Sequence, residues 1–379
     1  MRLAVGTLTL VPGLLITLGL TMLHSIGMHH RKGMYFFYQQ SQWLVIGLVA
    51  CVVAAAIDYR KLRGWAYVVL AGAVVLLILA RTPGVATKVN GAYRWLKLGS
   101  VSVQPSELAK LGLIMAIAAY GHSQRRRMSQ PFFGLVVPGL GIGIVLALVL
   151  LGKDLGTTAL LAGLATALLF AAGTRLRHLV PAGLLAVIAL GIYLRTDPVR
   201  WRRIEIWWHP ERFVELQDDQ STQSMIAIGS GGVEGRGLGN GIHLSGFVPE
   251  QPTDFIFSVI GEELGLRVTL PLVAGYLAFA FAALAVARRA PDSYGALLAC
   301  GVGLLVGFQA AINVAVTTNS MPNKGLALPF VSYGGSCMVV MLTLVGMLLS
   351  VALRSAREEY EDNLPDARDR EVAALQHAG

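Results

Sequence analysis

Residues 254–287 read DFIFSVIGEELGLRVTLPLVAGYLAFAFAALAVA. As one helix this run is about 50 Å long, against a hydrocarbon core of about 30 Å. A single span does not accommodate it. Gly265 is the natural break, because glycine tolerates backbone angles that end a helix. The run therefore predicts a short helix over Asp254–Leu264 that dips into the outer side of a membrane, followed by a full span. Irregular backbone at that depth is tolerated only where it lines a protein cavity.

Working outward, nine further apolar runs approach the length of a membrane helix. They are Leu3–Ile26, Phe36–Ile57, Trp65–Ala80, Ser106–Tyr120, Phe132–Leu151, Leu155–Ala172, Leu179–Leu194, Tyr294–Val316 and Cys337–Leu353, with Leu266–Ala287 making ten. The first is too long for a signal-peptide core and shows no cleavage site, so it counts as a span. Composition agrees. The 379 residues are 55% hydrophobic and 14% charged, where a soluble domain carries roughly 25% charged residues. That excludes a soluble core and a disordered chain. The 43 glycines have no period of three, which excludes a collagen-like fibre.

The net charge is 31 − 22 = +9. Its distribution is more informative than its size. Arg60, Lys61 and Arg63 follow the second run, Arg125–Arg127 the fourth, Arg175 and Arg177 the sixth, Arg288 and Arg289 the eighth, Arg354 and Arg357 the tenth. All fall on one side, which the positive-inside rule makes cytoplasmic. The expected fold is thus an all-α polytopic membrane protein of about ten spans with both termini inside. Residues 1–353 form the membrane domain and 354–379 a polar cytoplasmic tail. A large outer loop, 195–263, separates the seventh and eighth spans. It carries Trp201, Trp207 and Trp208, suited to an interface, and the stretch Gly229–Gly241, read as backbone packed against a membrane surface. No basic stripe is interleaved with aromatics, so nucleic acid is not an expected partner. Cys51, Cys300 and Cys337 show neither disulfide nor zinc spacing.

Ionisable groups at membrane depth are costly, so each is a candidate for function. Glu107 and Lys110 are three residues apart and share a helix face, as a structural ion pair or as part of a site. Asp154 opens the sixth span, as a cap or a polar site residue. Asp254 meets an apolar run at the outer interface. A carboxylate there suits proton transfer, and an N-cap is the alternative. Glu262 and Glu263 follow on the same short helix, pointing in different directions. His24, His122 and His178 have no metal-ligand spacing.

Six ordered blocks carry a resemblance. They are Val89-Asn-Gly-Ala-Tyr-Arg-Trp-Leu96, Gln104-Pro-Ser-Glu-Leu-Ala-Lys110, Asp154-Leu-Gly-Thr157, the loop pieces Ile226–Gly232 and Gly237–Gly241, Thr253-Asp-Phe-Ile-Phe257 with Gly261–Gly265, and Lys324-Gly325 with Leu328–Ser336. Together they resemble the SEDS family, the glycosyltransferases of bacterial wall synthesis. The Asn-Gly pairs at 90–91 and 240–241 look more like its FtsW branch, in division, than its RodA branch, in elongation. The family often has a histidine two residues before its catalytic aspartate, where this chain has Pro252.

The resemblance implies a peptidoglycan polymerase in the bacterial cytoplasmic membrane. The substrate is lipid II, a disaccharide-pentapeptide on undecaprenyl pyrophosphate, and a lipid II flippase is the rival reading. The resemblance makes Asp254 the catalytic base. It assigns substrate binding to Arg94, Gln104, Ser106, Glu107, Lys110, Lys153, Asp154, Glu250, Thr253, Lys324, Ser332 and Tyr333. Arg94 and Lys110 meet the pyrophosphate charge, with Glu107 orienting Lys110. A divalent cation, Mg or Mn, is the one cofactor it admits, with unknown ligands. The implied partners are a single-span class B penicillin-binding protein transpeptidase and other divisome or elongasome proteins.

Overall fold

The computed structural model describes residues 1–29, 33–82, 86–89, 92–98, 101–209, 220–241 and 252–362. All ten expected runs are helices: α1 (Arg2–His29), α2 (Tyr35–Ala56), α3 (Tyr59–Leu79), α4 (Pro105–Ser123), α5 (Val137–Leu151), α6 (Leu155–Ala171), α7 (Leu176–Thr196), α11 (Leu266–Arg289), α12 (Ser293–Thr317) and α13 (Gly335–Asp362). Eight of them are long and apolar enough to cross a membrane, α5 only together with the turn Phe132–Val136 that precedes it. The remaining two, α4 and α6, are the shortest bar α5 and sit among the others, with most of α4 buried. A multi-pass membrane protein follows.

Local chemistry sets the helix ends. Asp58 caps α3 by accepting from the Arg60 amide, and Asp292 caps α12 by accepting from Gly295 at 2.8 Å. Pro105 occupies the first turn of α4, where its missing N–H costs nothing. A single turn of π-helix, Phe132–Val136, leads into α5.

The break at Gly265 is real. The short helix α10 spans Ile256–Leu264, and Gly265 joins it to α11 with φ of +70°. A side chain there would also meet the backbone of Val233 and Gly235. The start of α10 differs from the expected Asp254. Phe255 is the N-cap, so Asp254 stands in the turn before the helix and does not cap it.

Three features go beyond the expected architecture. Three short strands, β1 (Ala86–Val89), β2 (Ala92–Leu98) and β3 (Val101–Val103), form a small antiparallel sheet in that order. The loop 195–263 is partly helical, with α8 (Pro198–Trp208) and α9 (Gln220–Gly231). And the stretch Gly229–Gly241 packs against α10 and the start of α11. Arg236 and Gly237 donate amide bonds to the carbonyls of Glu262 and Glu263 at 3.0 and 2.8 Å, and Leu266 donates to Gly232 at 3.0 Å. The expected tail begins as helix, since α13 continues to Asp362.

The two ends of the bundle differ. At one end Arg60 pairs with Asp292 at 3.2 Å and with Glu358 at 2.6 Å, Arg354 with Asp58 at 3.6 Å, and Arg63 meets His122. This gathers the starts of α3 and α12 with the ends of α4 and α13. The starts of α4 and α6 and the end of α12 lie at the opposite end, beside the sheet and α10.

Candidate functional site

A cavity of about 640 Å³ opens at the sheet end. Its walls come from α2 (Gln39, Gln42, Trp43), from β2 (Arg94, Trp95), from the starts of α4 and α6 (Glu107, Asp154, Thr157), and from Thr253 and Asp254. The loop between α12 and α13 closes it through Gly325–Ala327 and Tyr333–Ser336. Of the expected site residues, Arg94, Gln104, Glu107, Asp154, Thr253, Asp254 and Tyr333 share this wall.

Asp254 is held by its backbone and packed at its carboxylate. The Asn313 amide on α12 donates to the Asp254 carbonyl at 2.8 Å and to the Leu326 carbonyl at 2.7 Å. Tyr333 N donates to Pro252 O at 2.8 Å, tying the same two loops again. A Cβ at Gly325 would lie 2.5 Å from Asp254 Oδ2, so glycine is what lets the carboxylate sit against this loop.

One turn earlier on α12, Gln309 continues the polar seam. Its amide donates to Ala327 O at 2.7 Å and accepts from Lys110 Nζ at 2.9 Å. Lys110 Nζ also meets Glu107 Oε1 at 2.7 Å. Lys110 is fully enclosed and does not line the cavity. The structure thus places Lys110 behind the cavity wall and not on it. Its ammonium is held by Glu107 and Gln309, because a buried ammonium must be paired and hydrogen-bonded. Gln309 and Asn313 were not expected, because they are uncharged and lie in none of the six blocks that carry the resemblance. Two amides four residues apart on an apolar helix are the signal that marks them.

Asp154 is both cap and wall. It accepts from Thr157 N at 3.1 Å and from Gln104 Nε2 at 3.4 Å. Arg94 reaches the turn before α6, donating to Gly152 O at 3.0 Å and Lys153 O at 2.6 Å. A guanidinium has five N–H donors, so these two bonds leave others available at the cavity. Burial, helped by Tyr35, pushes the Tyr333 phenol up to about 12, so it stays a neutral hydrogen-bonding group.

The other expected residues sit differently. Ser106 is buried beside Arg81, Arg94 and Asp154 around a void of about 20 Å³, room for roughly one water. Lys153, at positive φ, is exposed on the turn before α6. Lys324 packs beside Gly156 at the start of α6. Ser332 holds its own loop by accepting from Leu328 N at 2.7 Å. Lys153, Lys324 and Ser332 are not among the cavity's lining residues. Glu250 lies outside the described residues.

The chain is similar to known proteins along most of its length. A Geobacter metallireducens protein named as a probable peptidoglycan glycosyltransferase FtsW is 39% identical over 324 residues, 86% of each chain. Stage V sporulation protein E of Bacillus subtilis is 33% identical, covering 91% of this chain and 96% of that one. A chain solved in work on coordinated polymerization and crosslinking by a peptidoglycan synthase complex superposes with a TM-score of 0.75 at 28% identity, covering 92% of this chain and 97% of that one. The crystal structure of the Thermus thermophilus rod shape determining protein RodA gives 0.68 at 27% identity, covering 92% and 96%. The cell cycle protein model of FtsW, RodA and SpoVE matches residues 1–357, and this chain belongs to that family.

Proposed function

We propose that this chain is a peptidoglycan glycosyltransferase that polymerises lipid II on the outer face of the bacterial cytoplasmic membrane, in cell division as in FtsW. The observation that carries this reading is Asp254, seated on the wall of one polar cavity with Arg94, Glu107 and Asp154. The cavity is at the end of the bundle opposite the paired basic clusters, which the positive-inside rule assigns to the cytoplasm. A flippase needs polar access from both ends, and the cavity's charges gather at one.

In this mechanism the sugar 4-hydroxyl of one lipid II attacks the anomeric carbon of the growing chain. The Asp254 carboxylate takes the hydroxyl proton as the C–O bond forms. The bond to the lipid pyrophosphate breaks, and Arg94 stands where its departing charge is met. Glu107 keeps a fixed place through Lys110 and Gln309. Among the described residues no three His, Cys, Asp or Glu side chains group tightly enough to hold a metal ion by themselves. Asp154 and Asp254 nevertheless face one cavity, and one or two carboxylates with substrate phosphates is the usual setting for Mg. Such an ion would neutralise pyrophosphate charge.

The complex containing the similar solved chain supports a crosslinking transpeptidase, a class B penicillin-binding protein, as partner. The test is purified chain supplied with lipid II, with and without that partner, assayed for glycan strands. Strand formation is expected. Its absence in both arms, with transbilayer movement of lipid II in vesicles, overturns the reading in favour of a flippase.

A further inference from the structure

At the basic end, the loops after α4 and α6 fold into one platform. Thr174 Oγ1 donates to Gly134 O at 3.0 Å, and Tyr120 Oη donates to Phe133 O at 2.7 Å. Met128 and Thr174 are buried beneath. Five arginines, Arg125, Arg126, Arg127, Arg175 and Arg177, are exposed on this platform. At this same end Arg60 pairs with Asp292 and Glu358, Arg354 with Asp58 and Arg357 with Glu361, while Arg288 and Arg289 form a smaller exposed basic pair on their own. Among the described residues none of the five platform arginines has an ion pair. Arg127 instead lies over the Phe133 ring, 5.2 Å from its centroid.

Below the arginines run two exposed apolar stripes at four-residue spacing. Phe132, Val136 and Leu140 descend into α5, and Leu176, Val180 and Leu184 descend α7. Residues four apart share a helix face. Arg177 Nε donates to the neighbouring His178 Nε2 at 3.4 Å, and each stripe starts beside guanidinium groups that have no carboxylate partner among the described residues and continues into the bilayer.

We propose that this platform is a binding site for an anionic phospholipid of the cytoplasmic leaflet. Its phosphate lies among Arg126, Arg127, Arg175 and Arg177, and its acyl chains lie along the stripes of α5 and α7. Guanidinium groups suit phosphate, because their planar forks donate in pairs. The cytoplasmic leaflet supplies anionic headgroups at the depth of these loops. A soluble acidic peptide matches the charge alone, whereas a lipid meets both the charge and the apolar faces that these two spans turn to the bilayer directly below it. The adjoining apolar surface favours a lipid.

Purified full chain in nanodiscs of equal parts phosphatidylglycerol and phosphatidylcholine, released and weighed by native mass spectrometry, tests the proposal. The unmodified chain is expected to retain phosphatidylglycerol preferentially. The triple variant Arg126→Gln, Arg175→Gln, Arg177→Gln is expected to lose at least about tenfold of that retention. The pair Arg288→Gln, Arg289→Gln, also basic and exposed, is expected to keep it. Should the triple variant fail to fold, the preference of the unmodified chain and the single variant Arg175→Gln decide. No preference in the unmodified chain, unchanged retention in the Arg175 and triple variants, or an equal loss in the Arg288 and Arg289 pair overturns the site. Displacement of the retained lipid by a soluble hexaglutamate peptide at micromolar concentration makes the platform a protein-docking surface and overturns it too.

Discussion

Asn313 suspends the backbone of Asp254 from helix α12: its buried amide donates to the Asp254 carbonyl at 2.8 Å while also holding Leu326 at 2.7 Å. The proposed base therefore owes its place to a transmembrane helix, not only to its own turn. Asn313→Ala leaves two carbonyls without this donor, at a cost of about 1–3 kcal/mol. Asp254 then shifts, and misplacement of a reacting group by an ångström costs up to roughly 10²-fold in rate. Thermal melting in detergent and a lipid II polymerisation assay should show a modest fall in stability and a disproportionate fall in rate. Equal, small effects on both would make Asn313 a packing residue only.

Gly325→Ala tests the same contact from the other side. The added methyl would lie 2.5 Å from Asp254 Oδ2, so either the loop or the carboxylate must move. Polymerisation is expected to drop with little change in melting temperature. Gly139→Ala, where nothing lies within 4 Å of the added atom, is the matched comparison and should be neutral.

Lys110 is enclosed with its ammonium on Glu107 and Gln309. Lys110→Met strands a buried carboxylate and should destabilise by about 3–5 kcal/mol. Adding Glu107→Gln to Lys110→Met removes that charge and should recover much of the loss. Melting of the two variants checks this. No recovery would mean that the stranded charge is not what costs stability.

Much of this was legible in the amino-acid sequence. The ten long helices and the break at Gly265 follow from lengths of apolar runs and from one glycine. The Glu107–Lys110 pair follows from helical spacing. The small antiparallel sheet was not legible, because its strands are short and Tyr93-Arg94-Trp95 alternates over too few residues to stand out. The helices α8 and α9 were hidden for a similar reason, being short and polar within a long loop. Asp254 was expected as a possible N-cap, and the structure moves the helix start past it. The seam of Gln309 and Asn313 is a tertiary feature: each amide is unremarkable until the α12–α13 loop folds back to meet it.

At the basic end, Asp292 binds Gly295 N, Tyr59 Oη and Arg60 Nε. Burial pushes its carboxyl up, but these donors outweigh it and hold it below the ordinary value of about 3.9. A depressed carboxyl contributes stability above its unfolded pKa and loses it as pH falls through the folded one. Asp292→Asn keeps a cap but removes the charge, so it should lower the melting temperature at pH 7. The difference from the unmodified chain should close as pH drops below about 4. A gap that stays constant to pH 3 would show that the charge is not responsible.

The most direct measurement is polymerisation of lipid II by the purified Asp254→Asn protein. The variant keeps the size and the backbone bond to Asn313. The cap it might have served is not at issue, because α10 begins after Phe255. A general base replaced by an amide predicts a fall of roughly 10² or more in the rate of strand formation, with folding and lipid II binding intact. An Asp254→Asn protein that polymerises lipid II at near the unmodified rate would contradict the account and leave Asp154, on the same cavity wall, as the next carboxylate to test.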